Sequence, residues 1–205
     1  MCTAIDITSR GCFFCRSGKE AEIAQRFRSA FPDAKAIFPT CTRYRRSNGK
    51  AVEELVPLLP GYVFFEIQPM RKDMLLPLNE TCVQRTKDVE NALLTFSRTV
   101  HMLNLLRYTN QDWRLHGSDD AFAKLLFDTE GNIDISQAYF DEGNRIRILG
   151  GFLKDYEGCI TRVNRRTRTV EVSVNFHEKN VRMWLGYELV ASAEMEAGYG
   201  CDVNV

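Results

Sequence analysis

The first third of the chain alternates between strand-like and helix-like spacing of its apolar residues. Cys12-Phe13-Phe14-Cys15 is a short apolar run that predicts a buried strand, and Arg16-Ser17-Gly18 follows as a turn. From Lys19 the period changes. Ile23, Ala24, Phe27 and Phe31 recur at three- and four-residue steps, which predicts a helix ending at Pro32-Asp33. Ala36-Ile37-Phe38 reads as a strand closed by Pro39, and Thr40 to Lys50 is polar, basic and turn-rich, as expected of a hairpin tip or loop. Val52 to Val56 is then the returning strand. Pro57-Leu58-Leu59-Pro60-Gly61 forms a rigid turn into Tyr62-Val63-Phe64-Phe65-Glu66-Ile67, the strongest strand signal in the chain. Strand, helix, strand, hairpin, strand is an α+β order with a mainly antiparallel sheet.

Val89, Leu93, Phe96, Val100 and Leu103 again have helical spacing, followed by a short strand around Leu105–Tyr108. Ser118-Asp119-Asp120 is a candidate N-cap for a helix running to Phe127. After Asp141 the texture changes. Residues 145–149, 160–163 and 170–174 alternate polar and apolar positions, with turns at Gly150-Gly151 and 165–168, the pattern of a small β-barrel. The expected organisation is an N-terminal extension over 1–10, an α+β domain over 11–128, a linker over 129–140, a barrel over 141–191 and an acidic tail over 192–205.

Charge adds a gradient to this picture. The 27 basic and 27 acidic residues cancel, yet residues 1–50 hold ten Lys/Arg against four Asp/Glu. A basic front end points mildly to a polyanion, while the overall balance excludes coating of nucleic acid by charge alone. No apolar run is long enough to span a membrane, and Met1 to Asp6 lacks the pattern of a secretory signal. A cytoplasmic location is therefore expected. Seven cysteines at irregular spacing fit reduced thiols. Cys12 and Cys15 form one C-x-x-C with no second pair to complete a zinc site, so buried structural thiols are expected, with no metal and no cofactor. His101, His116 and His177 stand apart from any nucleophile or metal pattern, and no catalytic motif is present.

Two segments carry a family likeness. Val56 to Glu66, with Pro60-Gly61-Tyr62 at its centre, resembles the signature of the NusG N-terminal domain, with Leu59 where Phe is usual. Ser17-Gly18-Lys19-Glu20 matches the small-Gly-x-Glu that opens that domain's first helix. Glu142 to Ile148 and Gly151 to Gly158 together resemble the KOW motif. The closing Leu185 to Val190 is similar to the specialised antiterminators of the LoaP branch. The resemblance departs at Arg10-Gly11, where an aromatic pair is usual, and at Phe152 and Leu153, so coupling to the ribosome is not implied. The implied fold is an antiparallel-sheet NusG N-terminal domain with flanking helices, linked to a small SH3-like KOW barrel. The implied function is non-enzymatic: a monomeric factor binds the clamp helices of the largest RNA polymerase subunit and suppresses pausing and termination at specific operons. A housekeeping elongation factor of the same family is one alternative. A KOW-type RNA-binding or ribosome-associated protein without polymerase contact is another.

The candidate contacts follow from this. Tyr62 and Phe64 share one face of their strand and Phe65 the other. The bland reading places all three in the core. The functional one makes the Tyr62–Phe64 face an apolar groove for polymerase, with Pro60 and Gly61 shaping its entrance. Arg16, Lys19, Arg26, Arg43, Arg45, Arg46 and Lys50 are either a solvated surface or a phosphate-contacting set, with Tyr44 placed to stack on an unpaired base. The resemblance implies non-template DNA or a nascent RNA hairpin as their partner. Lys154, Arg165, Arg166 and Arg168 form a second basic set in the barrel, read as a solvated hairpin ahead of an RNA contact, and the resemblance also implies a second protein partner for the barrel.

Overall fold

A computed structural model describes residues 8–48, 50–67 and 81–190, with the side chains of 81–86 excepted. The described chain forms two compact units, and the boundary between them is crossed more than once. The first unit takes the residues up to Pro39 and those from Leu59 to Gly131. The second takes Thr40–Leu58 and the residues from Asn132 onward. No helix among the described residues is long and apolar enough to cross a membrane.

In the first unit, strands β1 (Ser9–Cys15), β2 (Ala34–Ile37), β5 (Tyr62–Ile67) and β6 (Met102–Leu105) build an antiparallel sheet in the order β2-β5-β1-β6. The β1–β5 register sets Phe13 opposite Val63, Cys12 opposite Phe64 and Phe14 opposite Tyr62. Period-2 alternation sends Phe13, Cys15, Val63 and Phe65 to one face. There they pack with Ile23 and Phe27 of helix α1 (Glu20–Ala30), Leu93 and Phe96 of helix α2 (Thr81–Ser97), and Trp113. The rings interlock: Phe65 lies 4.6 Å from Phe13, 5.0 Å from Phe27 and 5.6 Å from Trp113, centroid to centroid.

The other face is covered by helix α3 (Ser118–Asp128), whose Phe122 packs edge-on against Phe64 at 6.1 Å. Beside them Arg10 donates to Glu66 and to Asp120, both at 3.0 Å, so a half-buried cation is paired on both sides. The α3 N-terminus differs from expectation. Gly117 precedes the helix and no side chain caps it, while Asp119 accepts a hydrogen bond from the Tyr108 hydroxyl at 2.5 Å. The short strand expected near 105–108 lies three residues earlier, where Leu105 pairs with Phe13.

The second unit is all β. Strands β8 (Ser136–Phe140), β9 (Ile146–Gly150), β10 (Ile160–Asn164), β11 (Thr169–Phe176) and β12 (Lys179–Leu189) order as β10-β11-β12-β8-β9, with β12 and β8 parallel. This curled sheet encloses Ala138, Ile148, Leu153, Val172, Met183, Leu185 and Tyr187. A second sheet, β4-β3-β7, comes from strands β3 (Thr40–Ser47), β4 (Lys50–Pro57) and β7 (Asn132–Ile133). The α+β class with antiparallel sheets and a small barrel-like sheet is thus realised.

Three readings need correction. Residues 40–50 do hold a hairpin tip, but it is confined to Ser47–Lys50; the rest is not loop and forms β3, paired with β4 in register from Thr40 opposite Pro57 to Ser47 opposite Lys50. Cys41 is the one buried side chain along β3, so the apolar alternation that signals a strand is missing. Second, the stretch expected as a linker carries β7 and β8, each paired in parallel, with β3 and β12 respectively. Third, β12 itself had no strand expectation, although Val181, Met183, Leu185 and Tyr187 alternate inward along it. The acidic tail and most of the N-terminal extension lie outside the described residues, but Ser9 and Arg10 belong to β1.

Candidate functional site

The turn before β5 is built by two motifs that lie far apart in sequence. Glu20 opens α1 and is only 5% exposed; its carboxylate accepts a hydrogen bond from the Gly61 amide at 2.6 Å. The Gly61 carbonyl in turn accepts from the Cys15 amide at 2.7 Å, and the Tyr62 amide donates to Leu59 at 3.1 Å. Gly61 has φ +87°, and a Cβ there would lie 2.9 Å from both the Cys15 carbonyl oxygen and a Phe14 ring carbon. Only glycine fits such a position without displacing its neighbours. The result is a fixed exit angle for the strand that carries Tyr62.

On this face the expected groove is only partly open. Phe64 is fully buried beneath α3, so it supports the strand from within and cannot touch a partner. Tyr62 is half-buried, with its ring edge-on to Phe14 at 5.1 Å, and Pro60 is exposed. Burial raises the Tyr62 phenol above its ordinary value. Phe14, which sequence reading treated as core, completes the aromatic pair with Tyr62. Its position in a C-x-x-C run gave no sign of that. Cys12 and Cys15 are both buried, and burial pushes the Cys15 thiol up to about 11.

The basic residues divide between the units. Arg16, Lys19 and Arg26 belong to the first. Lys19 and Arg26 share a helix face as expected, but Glu22 lies between them and pairs with Lys19 at 3.0 Å and Arg26 at 3.8 Å. The hydrogen bond from Lys19 lowers the Glu22 carboxyl. Arg16 is exposed, and its backbone amide donates to His101.

In the second unit the two basic sets meet. Arg43, Tyr44 and Arg46 of β3 and Arg166 and Arg168 of the β10–β11 turn line one cleft of about 590 Å³, together with Trp184 of β12. The turn is organised by Asn164, whose side-chain oxygen accepts from the amides of Arg166 and Thr167 at 3.1 and 3.2 Å. Arg168 sits at φ +50° and carries its guanidinium 5.7 Å from the Tyr44 ring centre. Arg45 is tied to Glu54 at 3.2 Å, and Arg43 donates to the Cys41 sulfur at 3.3 Å. Burial raises the Tyr44 phenol, and Glu188 and Glu53 add to that.

Three expected members stand outside the cleft. Lys50 is exposed at the hairpin turn. Lys154 donates to the Ile148 carbonyl at 2.8 Å, and Arg165 donates to Asn144 at 2.6 Å and lies over the Phe140 ring at 4.0 Å. Trp184 was missed. Its signal, an aromatic residue on the face of β12 opposite Met183 and Leu185, is legible only once that strand is recognised.

No curated protein matches the chain. A solved structure described as "Domain interaction in Thermotoga maritima NusG" is 14% identical, covers 88% of this chain and 94% of its own, and gives a TM-score of 0.45. Residues 12–104 match the family model "Transcription termination factor nusG", a stretch that contains Glu20, Gly61 and Tyr62.

Proposed function

We propose that this chain is a NusG-family transcription factor that rides on RNA polymerase and acts without covalent chemistry. The observation that carries this reading is the coincidence of the family-model match over 12–104 with the hydrogen bond that joins Glu20 to Gly61. Both halves of the resemblance, the helix-opening Glu and the Pro-Gly-Tyr turn, meet in one structural device that presents Tyr62 beside Phe14.

The aromatic pair with exposed Pro60 receives the clamp helices of the largest polymerase subunit, in the manner of an apolar helix laid in a groove. Phe64 positions Tyr62 from below. By binding the processive state of the enzyme more tightly than paused states, the factor lowers the paused population; a ligand shifts an equilibrium only by such differential affinity. The basic cleft of the second unit adds a nucleic-acid contact, and tethering of the two units raises the local concentration of the second contact once the first is made. Suppression of termination at particular operons, as in the LoaP branch, follows from a second contact that selects the transcript.

The test is co-purification of the tagged chain with bacterial core RNA polymerase, with and without competing housekeeping NusG. Tyr62→Ala and Phe14→Ala are expected to lose binding by at least about tenfold, the scale of a buried aromatic anchor, with far-UV circular dichroism unchanged. Polymerase binding that survives both substitutions overturns the assignment.

A further inference from the structure

We propose that the arginine-lined cleft of the second unit binds one unpaired nucleotide of a nucleic-acid single strand, with its base against Tyr44 and Trp184 and the adjoining phosphates on Arg43, Arg46, Arg166 and Arg168. This deepens the nucleic-acid contact of the function proposed above and rests on it.

Charge is the first argument. None of these four arginines joins an ion pair among the described residues, whereas Arg45 is neutralised by Glu54, the one carboxylate in the lining. Elsewhere in the second unit Arg147 and Arg182 are paired with acids. Unneutralised guanidinium groups around a concavity concentrate positive potential and select a polyanion.

Shape and lining are the second argument. A cleft of about 590 Å³ lies within the range that encloses small organic groups. That is room for a nucleotide and too little for a duplex. Tyr44 and Trp184 are both half-buried in its wall. Ring surfaces of this kind bind a base through its flat face, which is available only when the base is unstacked. Base and phosphate are common to RNA and DNA, so the strand's sugar is left to measurement.

The cleft exists because β3 runs directly against β12. A Cβ on Gly186 would lie 2.6 Å from the Thr42 carbonyl oxygen, and the Cys41 thiol donates to the Trp184 carbonyl at 3.5 Å. Gly186→Val therefore forces the hairpin off the barrel strand and separates Tyr44 from Arg168 without altering any charge.

The experiment is fluorescence anisotropy of the full chain with three labelled probes: a mixed-sequence RNA single strand of about ten nucleotides, its DNA counterpart, and an RNA duplex of the same sequence. Tyr44→Ala, Trp184→Ala and Gly186→Val are each expected to weaken single-strand binding by about tenfold, the scale of one stacked base. Tyr44→Phe keeps it, and duplex binding changes by less than about twofold. A single-strand preference for RNA assigns a ribose contact; equal affinity for RNA and DNA assigns base and phosphate alone, and both support the cleft. Wild-type affinity in Tyr44→Ala, Trp184→Ala and Gly186→Val, with loss only on Arg166→Glu, overturns the nucleotide cleft and leaves a nucleic-acid contact of surface charge. Failure of all three probes to bind at low salt overturns the nucleic-acid reading as well.

Discussion

The two units handle the same residue types in opposite ways. In the first, rings pack on rings and charges are closed off: Phe65 is enclosed by Phe13, Phe27 and Trp113, and Arg10 is held between Glu66 and Asp120. In the second, Arg43, Arg46, Arg166 and Arg168 line a cleft and join no ion pair among the described residues, and two aromatic side chains remain half-exposed there. A chain with no net charge can therefore still carry a strongly basic surface, because neutrality is a sum over the chain and binding depends on placement. The first unit closes Arg10 into its fold; the second leaves the four cleft arginines available.

The largest effect expected from this contrast concerns stability. Phe65→Ala removes a fully buried ring and should cost about 3–5 kcal/mol. Arg166→Ala, on an exposed turn, should cost less than about 0.5 kcal/mol. The two tryptophans make this measurable unit by unit. Trp113 lies in the first and Trp184 in the second, so Trp184→Phe and Trp113→Phe backgrounds report urea unfolding of each unit separately. Comparable losses from Phe65→Ala and Arg166→Ala would break the comparison.

Next in size is the tie between α1 and the turn before β5. Glu20→Ala leaves the buried Gly61 amide without its acceptor, a loss of about 1–3 kcal/mol. Glu20→Gln keeps an acceptor in place and should recover most of it. The same urea titrations, read at Trp113, check the pair. Equal destabilisation by both would show that the negative charge, and not the hydrogen bond, is what the turn requires.

How far the sequence made these differences legible varies by region. Tyr62 to Ile67 and α1 were readable because apolar residues with a strong period sit where one face is buried, whereas the returning strand 52–56 buries none of its residues and was placed by the turn-rich stretch before it. Strand β3 was not readable, since Cys41 is its one buried apolar residue and its strand state is imposed by partners β4 and β7. The choice between core and groove for Phe64 stayed open for a related reason. Alternation shows that Tyr62 and Phe64 share a face, but only the chain path shows that α3 returns to cover one of them. The cleft was half legible: both basic sets were visible as separate clusters, and their meeting depends on the approach of β3 to Gly186, which no local pattern encodes.

The smallest effect sharpens the contrast at its margin, in the loop between β6 and α3. Asp112 accepts from Arg114 and from the Arg114 amide at 3.0 Å, with His116 at 3.1 Å. Burial alone would raise its carboxyl, but these hydrogen bonds outweigh burial and the net shift is downward. A carboxyl lowered in the folded state contributes stability that is fully present above its unfolded value, about pH 4, and is lost as pH falls through the lower folded value. Asp112→Asn should therefore cost less than about 1 kcal/mol at neutral pH, because its partners are half-exposed and screened. It should also flatten the acid limb of the first unit's stability curve. Urea midpoints read at Trp113 between neutral pH and about pH 3 test this. Parallel curves for Asp112→Asn and wild type would mean that the loop, like the arginines of the second unit, holds its charges without using them to fix the fold.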